Sequence, residues 1–100
     1  MSLDPDVLAK KNEVLLYING NNLSYLTYKL NAIHRKVQIA VNFDGLDKDI
    51  AVMVLDKIKL YWERGMLKEV NVLMDQFVPH MSTSRKDKIV DILNSYRVRF

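Results

Sequence analysis

The longest strongly apolar stretch of the chain is DKDIAVMVLDKIKLYWER, residues 47–64, which also contains its only tryptophan. At about 100° per residue its apolar positions fall on one unbroken arc, and charged residues occupy the opposite side. Asp47 suits a helix N-cap, and Gly65 suits the left-handed residue that follows a helix. The pattern therefore predicts a central helix whose buried arc consists of Ile50, Ala51, Val54, Leu55, Ile58, Tyr61 and Trp62.

This central helix is predicted to be apolar on two sides. Val52, Met53 and Leu60 lie on its otherwise charged face, and Met53 and Leu60 are seven residues apart. A helix with two apolar sides is usually covered on both. We therefore expect the second side to contact either another part of the chain or a second protein.

Residues 23–41 form the other long element. Leu23, Leu26, Leu30, Ile33, Val37 and Ala40 follow the alternating three- and four-residue spacing of a helix that packs lengthwise on another. A second arc on the opposite side contains Tyr25, Tyr28, Ala32 and Ile39. This helix is thus also two-faced, and we expect 23–41 and 47–64 to form the central pair of the fold.

Three shorter helices are predicted around this pair, and no internal repeat is evident. The first starts at Asp4-Pro5, and Lys11 interrupts its apolar stripe. The next follows Gly65 and ends before Pro79. In the last, residues 85–96, Ser84 and Asp87 resemble a capping box. We predict an all-α fold, a compact bundle of four or five helices.

An alternative α+β interpretation remains open from the sequence. Residues 36–43 alternate apolar and polar positions as a strand does, and residues 13–18 precede an Asn-Gly dipeptide typical of hairpin turns. These two segments would then form a small two-stranded sheet. The heptad spacing of residues 23–41 favours the helical prediction, because a strand needs a period of two throughout.

Composition is that of an ordinary globular protein. The 100 residues are 49% hydrophobic and 27% charged, without cysteine. The lack of cysteine excludes disulfides and fits a reducing compartment. The sequence contains neither a targeting signal nor a long apolar run. We therefore expect one helical domain spanning residues 1–100, a cytoplasmic location and no membrane association.

Motifs for catalysis or cofactor binding are not recognisable. His34 and His80 have no second ligand at a helical spacing, so a solvated or hydrogen-bonded structural role is expected for both. The three glycines are too far apart for a phosphate-binding loop. We predict a protein that is not an enzyme and that uses no cofactor, metal or small-molecule substrate.

Charge is unevenly distributed along the chain. The formal net charge is +3, and the whole excess lies after residue 79. Asp87 and Asp91 partly offset the basic residues there. This end of the chain is a candidate surface for nucleic acid or for an acidic partner, formed by Arg85, Lys86, Lys88, Arg97 and Arg99.

Two functional hypotheses follow. The first is a protein–protein interaction module, a small adaptor, inhibitor or regulator that self-associates as a homodimer, because two two-faced helices are hard to cover in a short chain. Its interface residues would be Tyr25, Tyr28, Ile39, Val52, Met53 and Leu60. The alternative is a regulator that binds nucleic acid through its basic C-terminal helix.

The nucleic-acid hypothesis makes its own prediction. Binding to mixed-sequence duplex DNA should fall steeply with salt, and it should weaken when Arg85, Lys86, Lys88, Arg97 and Arg99 are changed to alanine. Fluorescence anisotropy over a range of salt concentrations measures both effects. Undetectable binding at low salt would eliminate this hypothesis.

Overall fold

The computed structural model describes residues 4–81 and 85–96, and these residues contain five α-helices. A π-helical turn, Ala40–Asp44, directly follows the second helix. The helices are α1 (Pro5–Gly20), α2 (Ser24–Ile39), α3 (Lys48–Glu63), α4 (Leu67–Met81) and α5 (Lys86–Ser95). The prediction of an all-α bundle is confirmed.

Helices α1 and α3 run parallel and in register. The Lys10 Nζ lies 3.2 Å from an Asp56 carboxylate oxygen, and the Tyr17 hydroxyl donates to Glu63 at 2.9 Å. Both contacts join residues 46 positions apart, so the two helices ascend together. Lys59 donates to Glu13 at 2.7 Å between them, at the same separation.

The other helices follow the same scheme. Lys29 of α2 pairs with Asp75 of α4 at 2.9 Å, and Lys36 reaches the Val78 carbonyl further along, so α2 and α4 are also parallel. The Asp4 amide donates to Gln38 at 3.0 Å, which places the start of α1 beside the end of α2. The chain therefore forms two helical hairpins, α1–α2 and α3–α4, stacked side by side.

Helix α5 continues this stack. It packs on both α3 and α4. Lys86 at its start lies 3.7 Å from Asp47, and Tyr96 after its end meets Tyr61 edge to face with ring centroids 6.1 Å apart. Helices α1, α3 and α5 thus form one layer, and α2 and α4 form the other.

The core repeats from one hairpin to the next. Seven buried residues of the first hairpin each have a buried counterpart in the second, always the same number of positions further along the chain. The pairs are Val7 and Ala51, Val14 and Ile58, Ile18 and Trp62, Leu26 and Val70, Leu30 and Met74, Ile33 and Phe77, and Val37 and Met81. The sequence suggested no repeat because equivalent positions of the two hairpins are alike in being buried but differ in residue type.

The structure contradicts two sequence predictions about packing. Residues 13–18 lie within α1 and residues 36–43 span the end of α2 and the π-helical turn, so the alternative with a two-stranded sheet is excluded. The predicted central pair is also wrong, because α2 packs on α1 and α4 rather than on α3. The heptad seam of α2 is buried, but against those two neighbours.

Helix ends follow local chemistry only in part. Asp4 caps α1 as predicted, accepting from the amides of Asp6 and Val7. Asp47 precedes α3 but makes no side-chain cap, and its carboxylate lies near Lys86 instead. The predicted capping residue Ser84 lies outside the described residues, and Arg85 precedes α5.

Pro79 does not end α4, contrary to the prediction. Proline inside a helix removes one backbone hydrogen bond. The helix nevertheless continues to Met81, whose side chain is fully buried. Burial of a methionine side chain contributes about 1.5–3 kcal/mol, which offsets the lost bond.

Among the described helices, none is long and apolar enough to cross a membrane.

Gly65 is predicted to be required at the α3–α4 connection. Its φ is +70°, and the conformational cost of a side chain there is about 1–2 kcal/mol. Gly65→Ala should therefore lower the free energy of unfolding by about that amount, measured by urea denaturation. Gly20→Ala is the matched control, since both positions have open space for a Cβ but Gly20 lies within α1. Equal effects of the two substitutions would contradict this interpretation.

Candidate functional site

The six predicted interface residues lie on two separate surfaces. Tyr25, Tyr28 and Ile39 are exposed on α2, whereas Val52, Met53 and Leu60 belong to α3. Helices α2 and α3 occupy diagonal positions in the four-helix arrangement, with α1 and α4 between them. The structure therefore does not bring the six residues together.

The first surface is a stripe along the outer side of α2, which we call the outer stripe: Tyr25, Tyr28, Ala32, Ile39 and Phe43. Tyr28 is 77% exposed and Tyr25 is 55% exposed. The stripe points outward because the opposite side of α2 forms the core, while Lys29 and Lys36 contact α4 on one flank. Phe43, in the π-helical turn, extends it by one further aromatic side chain.

The second surface, on α3, is covered in part by the chain itself. Met53 is 54% exposed, but Val52 and Leu60 are half-buried. Val52 and Met53 line a groove of about 450 Å³ against α1. Met53 and Leu60 line a smaller groove, about 190 Å³, against Leu93 of α5. Flanking helices thus supply much of the cover that the sequence left unassigned.

The predicted basic surface is only partly described. Arg85, Lys86 and Lys88 are exposed at the start of α5, while Arg97 and Arg99 lie outside the described residues. Arg85 has Asp87 at 3.7 Å and Lys86 has Asp47 at 3.7 Å. These carboxylates weaken the positive field at the two cations.

A further site, not predicted from the sequence, is a groove between α1 and α2 of about 570 Å³, which we call the α1–α2 groove. Helices α1 and α2 form its two walls, and Asn42 of the π-helical turn also lines it. Its lining combines two cations, polar side chains and two aliphatic side chains, and it includes no aspartate or glutamate. The lining residues are Leu8, Lys11, Asn31, His34, Arg35, Gln38, Ile39 and Asn42.

Two buried polar side chains of this groove have atoms without partners. His34 is 6% exposed and Gln38 is 5% exposed. The Gln38 Oε1 accepts from the Asp4 amide at 3.0 Å, which orients its Nε2 as a donor, yet neither this Nε2 nor the His34 Nε2 has a hydrogen-bond partner among the described residues. An unsatisfied buried polar group costs about 1–3 kcal/mol, so such groups are uncommon unless something else binds them.

His34 is electrically neutral at physiological pH. Burial, and secondarily the charge of Lys11, lower the pKa of its imidazole to about 4. The positive charge of the groove therefore comes from Lys11 and Arg35, and neither forms an ion pair within the described part of the chain. The expected solvated or hydrogen-bonded role of His34 is wrong for its Nε2 atom, which is shielded from solvent and has no partner in residues 4–81 and 85–96.

This arrangement is suited to binding an anion. Two cations, a donor fixed at Gln38 and an imidazole converge without a competing carboxylate in the lining. A metal site is not formed, since no three metal-ligating side chains come together in the described residues. In the sequence, the available signals were Lys11 within an apolar stripe and the one-turn spacing of His34 and Gln38.

His34 should make the stability of the fold depend on pH. Its folded pKa is about 4, below the ordinary value of 6.5, so between these values the unfolded chain binds a proton that the folded chain does not. The free energy of unfolding should therefore be about 1–2 kcal/mol lower at pH 5 than at pH 7. Urea denaturation at the two pH values measures this difference.

Two substitutions separate His34 from the other titrating groups. His34→Leu should remove most of the fall between pH 7 and pH 5, whereas His80→Gln, the matched control, should retain it. An imidazole that titrates at its ordinary pKa in NMR spectra of the folded protein would contradict the burial effect.

Comparison with known proteins assigns no relative to this fold or to its grooves. No protein-family model, no curated protein and no solved structure matches the chain.

Proposed function

We propose that this protein is a non-enzymatic interaction module, a small cytoplasmic adaptor, inhibitor or regulator that self-associates through the outer stripe. The observation that carries the proposal is the exposure of Tyr25, Tyr28 and Phe43 on one side of the α1–α2 hairpin. Exposed apolar patches of this kind commonly mark protein-binding surfaces, and tyrosine is enriched there.

The outer stripe is favoured over the apolar side of α3 for a geometric reason. Leu60 and Val52 are half-buried and have α5 and α1 on either flank, so a partner gains little new burial there. Helix α2, in contrast, lies at the end of its layer, where only α4 packs beside it within that layer. Its outer side is accessible along the full helix.

A second copy of the chain is the partner proposed for the stripe. Two stripes meeting across a twofold axis would each bury the aromatic rings of the other, since a twofold interface uses the same surface on both subunits. The two tyrosines supply large rigid rings with a polar tip, which suits a surface that is exposed in the monomer and buried in the dimer.

Self-association is tested by sedimentation equilibrium over a range of protein concentrations. The wild-type chain should form a dimer, and Tyr25→Gln with Tyr28→Gln should weaken association by at least about tenfold, because aromatic residues dominate such interfaces. The variant should retain its helical circular dichroism spectrum, since both side chains are exposed.

Leu16→Gln provides the matched control. Leu16 is 75% exposed, like Tyr28, but lies on α1 outside the outer stripe. The control should associate as the wild type does. A wild-type chain that is monomeric at every concentration, or an equal effect of the control, would contradict the proposal.

A further inference from the structure

The α1–α2 groove has features of a ligand site that self-association does not use. Tyr25 and Tyr28 do not line it, and Ile39 is the residue that the groove and the outer stripe share. Its lining sets three requirements on the chemistry of a ligand.

The first requirement comes from the unpartnered atoms. The Gln38 Nε2 is a donor whose direction is fixed, because the Asp4 amide occupies the oxygen of the same side chain. This Nε2 is shielded from solvent and has no partner among the described residues, so an accepting group reaches it only when neighbouring side chains of the lining move. The His34 Nε2 lies in the same lining and is buried to the same degree.

The second requirement comes from charge. Lys11 on one wall and Arg35 on the other are the charged residues of the lining, and both are cations. Asp4 lies near Gln38, but its carboxylate is engaged by the amides at the start of α1. An acceptor that is also an anion satisfies both requirements, and a carboxylate matches the planar guanidinium of Arg35.

The third requirement comes from size and polarity. A volume of about 570 Å³ is larger than a single carboxylate needs and is typical of a site for a larger ligand. Leu8 and Ile39 provide apolar contact within the groove, and Ile39 also belongs to the outer stripe. The ligand should therefore have apolar groups next to its carboxylate.

We propose that the α1–α2 groove binds an acidic peptide segment of a partner protein, with a carboxylate side chain between Lys11 and Arg35 that accepts from the Gln38 Nε2, and an aliphatic side chain against Leu8 and Ile39. This site goes beyond the proposed self-association and does not depend on it.

The test is an NMR titration of the full chain with a short capped peptide of alternating leucine and glutamate. The side-chain amide signals of Gln38 and the ring signals of His34 should shift and saturate. A peptide with glutamine in place of glutamate should bind at least about tenfold more weakly. Absence of shifts at both side chains would overturn the proposal, because it would show that the peptide does not occupy the groove.

Variants separate the groove from a general attraction of opposite charges. Lys11→Gln and Arg35→Gln should each weaken peptide binding by about tenfold. Lys68→Gln removes the same charge from an exposed position of α4 outside the groove and should have little effect. Equal weakening by all three would overturn the assignment to the groove.

Two further outcomes identify a different occupant. Glutarate that binds as tightly as the peptide would show a site for small carboxylates. Shifts of His34 and Gln38 with protein concentration in the Tyr25→Gln, Tyr28→Gln variant, in which association through the outer stripe is weakened, would assign the groove to a second copy. Each result would overturn the peptide proposal. The Tyr25→Gln, Tyr28→Gln variant should bind the peptide as the wild type does, so failure of self-association is distinguishable from failure of this site.

Discussion

The parallel register between α1 and α3 is the constraint on which the rest of the structure depends. Contacts from Lys10 to Asp56 and from Tyr17 to Glu63 hold α1 and α3 side by side, so that neither hairpin is shifted along the helix axis relative to the other. These polar contacts are solvent-exposed and contribute little stability individually. Their role is to fix the register. The driving force for packing α1 on α3 is the burial of apolar side chains such as Val14 and, at the corresponding position of α3, Ile58. Because each hairpin packs mainly on its neighbour, helix α5 can extend the stack by the same geometry.

Both proposed binding surfaces belong to the first hairpin. The corresponding side of α4 is also exposed, at Val72 and Gln76, but α2 carries two tyrosines there. The α1–α2 groove arises within that same hairpin, where Lys11 faces His34 across the interhelical space and helps to keep its imidazole neutral. Among the described residues, the first hairpin therefore carries the exposed aromatic rings and two of the three buried side-chain atoms without a partner, the third being the Trp62 Nε1 of α3.

The sequence predicted the elements better than their arrangement. The apolar seam of α2 and the arc of α3 are buried as their spacing indicated, apart from the half-buried Leu23 and Ile50 at their starts, because helical periodicity depends only on local geometry. The pairing of helices depends on which seams meet in three dimensions, so the expected contact between α2 and α3 was wrong. Pro79 was misassigned because burial of Met81 outweighs a local preference. Tyr25 and Tyr28, which the sequence placed on the second apolar arc of α2, are exposed. The spacing of Gln38 from His34 did not indicate that Gln38 is buried, because its hydrogen bond comes from the Asp4 amide, far away in the sequence.

The parallel stack is tested most directly by distances between spin labels attached to introduced cysteines, since the chain has none of its own. Three labelled pairs at exposed positions suffice: Asp6→Cys with Lys48→Cys, Tyr17→Cys with Glu63→Cys, and Asp6→Cys with Glu63→Cys. Pulsed electron paramagnetic resonance should give similar short distances for the first two pairs. The third distance should be longer, because about three turns of helix, roughly 16 Å of axial rise, separate its positions. A short distance for the third pair together with long distances for the first two would mean that α1 and α3 are antiparallel, which would contradict the stack.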